Sequence, residues 1–156
     1  MNTMIDISLP IGPDLLTWPG DPAVEVVPRI QLSKGGPANV SELRIGTHTG
    51  THVDPPVHFI DGAAGIDEVP LDVFFGDCVV ADARGLEGEL GPDELEGLRL
   101  PSGVERLLLK SDNSEIWRSL PAEFPDTYVC LSEAGAAWVV AAGIRLVGVD
   151  FLSVER

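Results

Sequence analysis

Apolar and polar positions along this chain switch between a period of two and a helical period, and glycine and proline cut the pattern into short pieces. Met4–Leu9 reads as a short strand closed by Pro10, and "LTWPGDP" (residues 16–22) reads as a turn. Ala23–Ile30 is apolar and β-branched, with Pro28 favouring an edge or a bulge. Val40–Thr47 alternates, placing Leu43, Ile45 and Thr47 on one face and Glu42 and Arg44 on the other. "PLDVFFG" (70–76) suits one or two helical turns, and "DCVVADA" (77–83) a short buried strand. "GPDELEGL" (91–98) has proline at the first helical position, acids in the first turn and Gly97 near its end, so it predicts a short helix. "VERLLLKS" (104–111) is a strand. Ser132 caps a helix running through Ala142, Gly143 stops it, and "IRLVGVD" (144–150) is the last strand.

Strand, helix and strand from Val104 to Asp150 are βαβ-like material, whereas the N-terminal half is mostly β. The pattern predicts a mixed α/β fold with more strand than helix. At 156 residues one domain, 1–156, is the expectation, and a chain of this length buries enough core to fold without staples.

Composition narrows the function. The net charge of −15 leaves no basic footprint for a phosphate backbone or an anionic bilayer, so neither nucleic acid nor membrane is expected as a partner. The longest apolar stretch, "AAWVVAAGIRLVGV", is interrupted by Arg145 and too short to span a bilayer, and the N-terminus has no signal-peptide pattern. Cys78 and Cys130 lie far apart in apolar runs and read as buried free thiols, which fits a reducing cytoplasm.

All three histidines fall within eleven residues, in "THTGTHVDPPVHF" (47–59). Gly50, Pro55 and Pro56 exclude a continuous helix here, so His48 and His52 are not a helical ligand pair. In an extended strand His48, Gly50, His52 and Asp54 would share one face, but a straight strand would hold the two imidazoles roughly 13 Å apart. One metal requires them much closer, and Gly50 is the residue that lets the backbone bend between them. Pro55 holds Asp54 extended, and Pro56 turns the chain toward His58. Two imidazoles and a carboxylate suit Zn²⁺ or Mn²⁺ and leave coordination open for water. His58 is then an imidazole placed to move a proton. No serine sits in a nucleophile elbow, and neither a phosphate loop nor a dinucleotide fingerprint is present.

This segment carries the complete pattern HxGTHxDxPxHF and resembles the cyclase family of metal-dependent hydrolases, which includes bacterial kynurenine formamidase and isatin hydrolase. "IDISLPI", "WPGDP", "IDEVPLDVFFGDCVV" and "GIRLVGVDFLSVE" extend the resemblance over essentially the whole chain. The resemblance implies a swivelling β/β/α domain, one or two divalent metals, and hydrolysis of a small amide such as an N-formyl aromatic amine. Carried over, it assigns His48, His52 and Asp54 as metal ligands, with Asp54 a candidate bridge. It assigns His58 as proton donor and acceptor, and Trp18 as a wall of the substrate pocket. Members of the family continue past the segment matching "VDFLSVE" and draw a further histidine and glutamate from that continuation. This chain has neither, so an incomplete second metal site is expected. The alternative reading is a truncated, weak or inactive relative that binds a metal or a small aromatic ligand. The apolar last strand, which that continuation would cover, leads to the expectation of a homo-oligomer.

Overall fold

The computed structural model describes residues 4–119 and 123–156, which pack as two compact units, residues 1–54 and 55–156. In the first unit β1 (Glu25–Ile30) and β2 (Val40–Arg44) form an antiparallel pair. The register shifts between Pro28 and Ile30, where proline offers no N–H to the ladder. One face carries the exposed ion pairs of Arg29 and Arg44 with Glu42, the latter at 2.7 Å. The other carries Val26 opposite Leu43, both half exposed, so the alternation is as read but its apolar side is not buried.

Met4–Leu9 forms no strand. Its backbone donors are taken by side chains: Ser8 N–H donates to Asp6 at 2.9 Å, and Leu9 N–H donates to the Thr51 hydroxyl at 2.9 Å. These local bonds compete with a ladder, and Met4, Ile5 and Ile7 stay exposed.

The second unit is built on a parallel three-stranded sheet in the order β3 (Val79–Asp82), β5 (Arg106–Lys110), β7 (Leu146–Val149). A two-residue parallel pair, β4 (Glu89–Leu90) and β6 (Cys130–Leu131), lies outside the sequence reading because such short strands leave no periodicity. Among the described residues, the helices α1 (Pro92–Gly97), α2 (Ser114–Ser119) and α3 (Glu133–Ala141) complete the unit. Helix α3 starts where Ser132 Oγ accepts the Gly135 N–H at 3.0 Å. It ends before Gly143, whose φ of +76° is the left-handed stop that glycine permits. Helix α3 then leads into β7, which pairs parallel with β5, so the βαβ reading holds. At α1 the left-handed position falls on Arg99 (φ +53°), not Gly97, because Leu98 and Arg99 N–H groups extend the turn to Leu95 and Glu96.

The core of this unit joins Ala81, Leu107 and Leu109 of the sheet to Leu90, Leu95, Leu131 and Val139. Cys130 is fully buried, as read. Cys78 is not: it is exposed, because β3 begins only at Val79 and leaves the cysteine in the preceding connection. Among the described residues no helix is long and apolar enough to cross a membrane.

Polar groups close the gaps that short elements leave. The Asn113 side chain both donates to Val129 O and accepts from Val129 N–H, each at 2.8 Å, imitating a strand partner. The Asp150 carboxylate at the end of β7 accepts from Ser111 Oγ at 2.6 Å and from the N–H groups of Ser111 and Ser114, both at 3.1 Å. Ser111 and Ser114 are thus tied to the end of β7 by the Asp150 carboxylate.

Candidate metal centre

The histidine segment leaves β2 at Arg44 and is not a strand: it turns at Thr47–His48 and bends at Gly50–Thr51. Gly50 has φ +69°, a left-handed conformation that residues with a Cβ rarely adopt. A Cβ at Gly50 would also lie 3.3 Å from Ile11 Cγ1 and 3.7 Å from Leu15 Cδ2. Thr49 and Gly50 are buried, so the bend is packed from behind as well as permitted by its residue type. The extended reading of residues 48–54 is therefore replaced by a loop, while Gly50 takes the bending role expected of it.

The bend brings three of the expected ligands together. The His48 and His52 ring centroids stand 5.2 Å apart at 74°. His48 Nδ1 lies 2.8 Å from Asp54 Oδ1, and His52 Nε2 lies 3.3 Å from the same oxygen. Two donors bound to one zinc at about 2.0–2.1 Å with a tetrahedral angle lie roughly 3.3 Å apart. The His52–Asp54 spacing matches that value and the His48–Asp54 spacing is slightly tighter, so each imidazole stands at ligand-pair distance from the Asp54 carboxylate. The three side chains are 18–31% exposed, which leaves the centre open to water.

His52 uses its other ring nitrogen as well: Nδ1 is 2.7 Å from the Gly50 carbonyl oxygen. This contact is invisible in the sequence, which marks Gly50 as a bend but says nothing of where its carbonyl points.

Trp18 belongs to the same unit. Trp18 to Asp21 form a tight turn in which Asp21 N–H donates to Trp18 O at 3.0 Å, Pro19 and Gly20 (φ +95°) holding the central positions. A Cβ at Gly46 would lie 3.4 Å from Pro22 and 3.5 Å from Thr49 Oγ1. The "WPGDP" turn therefore runs beside the start of the histidine loop. Trp18 is 38% exposed and so lies outside the buried core.

His58 lies in the second unit, at the end of a 3-10 turn over Pro56–His58 that opens after extended Pro55 (ψ 163°). Proline at the first position pre-sets that turn. The His58 ring stacks at a tilt on Phe59, with centroids 4.2 Å apart.

The family model described as putative cyclase matches residues 5–156. Over 151 residues the chain is 38% identical to the kynurenine formamidase of Bacillus mycoides (strain KBAB4), covering 97% of this chain and 69% of that protein. It is 37% identical, with the same coverage, to the kynurenine formamidase of Bacillus anthracis. A solved structure described as a potential metal-dependent hydrolase with cyclase activity aligns with a TM-score of 0.78 at 25% identity, covering 97% of this chain and 69% of that one. With the motif intact, its donors converging and the family match running almost end to end, this chain belongs to the cyclase family.

Proposed function

We propose that this chain is a metal-dependent amidohydrolase of the kynurenine formamidase type. It would cleave the N-formyl amide of an aromatic amine with water, giving formate and the free amine. The observation that carries this reading is the convergence of His48, His52 and Asp54 on one carboxylate oxygen within a family motif that is complete. The named relatives make N-formylkynurenine the first substrate to test.

His48, His52 and Asp54 would hold Zn²⁺ or Mn²⁺. Bound there, such an ion supplies a water acidic enough to ionise near neutral pH and a positive charge for the developing oxyanion. His58 takes the attacking water's proton and returns one to the leaving amine, which must be protonated to depart. Trp18 stacks on the aryl ring and orients the formyl group. We read this ligand set as holding one ion. We place the enzyme in the cytoplasm, where two free thiols persist, and read it as a homo-oligomer with no nucleic-acid or membrane partner.

The test is hydrolysis of N-formylkynurenine by the purified chain with added Zn²⁺ or Mn²⁺. Metal-dependent release of formate is expected. Stoichiometric metal binding without turnover would favour a binding-only relative. Absence of both metal binding and turnover would overturn the proposal.

A further inference from the structure

We infer that Gly50 is a positioning residue: its carbonyl fixes the tautomer of His52 and thereby selects Nε2 as the nitrogen offered to the metal. This rests on the metal-site reading above for the role of Nε2, but the tautomer is a property of the metal-free chain.

A carbonyl oxygen only accepts, so the nitrogen 2.7 Å from it must carry the proton. That nitrogen is Nδ1, and a neutral imidazole then keeps its lone pair on Nε2. Nε2 is the atom that faces Asp54 Oδ1 at 3.3 Å. A neutral histidine side chain in water prefers the opposite tautomer, with the proton on Nε2, so the loop imposes a state the free side chain disfavours.

The carbonyl points this way because of the backbone. At φ +69° the Gly50 peptide is turned relative to an ordinary strand, and its acceptor is directed at the side chain two residues on. Ile11 and Leu15 behind the loop leave little room for a Cβ and keep the peptide from relaxing. Partners of this kind, bonded to the far nitrogen of a metal-binding histidine, orient the ring and are typically worth about 10–100-fold in metal affinity.

The experiment reads the tautomer first. In ¹⁵N-labelled, metal-free protein at a pH where His52 is neutral, two-bond ¹⁵N–¹H correlation should show Nδ1 protonated and Nε2 bare. A predominantly Nε2-protonated His52 overturns the inference, and leaves the metal-site reading standing if the protein still binds metal. The second measurement is Zn²⁺ affinity by competition with a chromophoric chelator. Gly50→Ala should lose the single tautomer and bind Zn²⁺ about 10–100-fold more weakly. Gly35→Ala is the control: Gly35 also has positive φ (+79°) but open space around it, so it carries similar backbone strain and should leave affinity and tautomer unchanged. Equal losses in both variants would reduce Gly50 to a general stability effect and overturn the inference. Should Gly50→Ala not fold, the double variant Ile11→Ala/Gly50→Ala relieves the steric contact while keeping the strain, and the same loss is expected of it. Failure of the wild-type chain to bind Zn²⁺ defeats the metal-site reading, and with it the donor role of Nε2, whatever the tautomer.

Discussion

At the scale of single residues, His52 is committed at both ring nitrogens, to Gly50 on one side and toward Asp54 on the other. Removing it deletes a candidate ligand without disturbing a helix or strand. Metal content of His52→Ala, measured by elemental analysis after purification without chelator, should fall to a small fraction of wild type; equal content would remove His52 from the ligand set. His58 has a different assignment. His58→Ala should lower turnover by about 10²–10⁴-fold, the usual share of a general acid–base group, with the metal retained. Unchanged turnover would exclude the proton-transfer role, and loss of metal would turn His58 into a ligand. The motif singled out His48, His52, Asp54 and His58 as candidates, because candidate ligands and proton carriers are recognised by residue type. Cys78 was misread, since an apolar neighbourhood in sequence does not say where a strand begins.

At the scale of elements, the close approach of α3 to β4 sets the tightest constraint. A Cβ on Gly135 would come 2.1 Å from the Leu90 carbonyl oxygen, a backbone atom that cannot step aside. Gly135→Ala should therefore destabilise the fold by about 3 kcal/mol, at the upper end of overpacking costs. Gly97→Ala, at the open end of α1, should be neutral or stabilising by up to about 1 kcal/mol. Urea unfolding of the two variants checks the contrast, and similar midpoints would refute the packing argument. Strand β6 adds a pH dependence. Burial, with Glu89 adding to it, pushes the Cys130 thiol above its ordinary 9.0. The folded state thus keeps its proton after the unfolded chain has lost it, so this contribution is complete below pH 9 and is lost as pH rises through the folded value. Unfolding midpoints should fall as pH is raised past 9, and less so in Cys130→Ala. Equal pH slopes in the two proteins would exclude the thiol as the cause. Tyr128, also raised by burial, acts in the same sense and should account for part of what remains.

At the scale of the whole molecule, the distribution of apolar surface is uneven. The core lies in residues 81–144, whereas Val26, Ile30, Val40 and Leu43 of the β1–β2 pair are 40–52% exposed. Exposed apolar surface of this kind favours association over a free monomer, and a charge of −15 per chain opposes it most at low salt. Light scattering should therefore show an oligomer at physiological ionic strength that weakens as salt is lowered. A monodisperse monomer at high concentration and moderate salt would refute the homo-oligomer reading.

The sequence by itself determined the elements that show a period, an apolar run or a cap: β1, β2, β3, β5, α1, α3 and β7. It also determined the donor inventory of the centre, because only three histidines exist and they fall together beside Asp54. Tertiary structure decided the rest. Two-residue strands such as β4 and β6 exist only through their pairing with each other. Met4–Leu9 has a strand-like composition, yet bonds to Asp6 and Thr51 side chains claim its donors. The convergence of His48, His52 and Asp54 depends on φ at Gly50 and on Ile11 and Leu15 packed behind it. A glycine in the sequence states that a bend is allowed. Only the packing around it states which way the chain turns, and so which nitrogen of His52 faces Asp54.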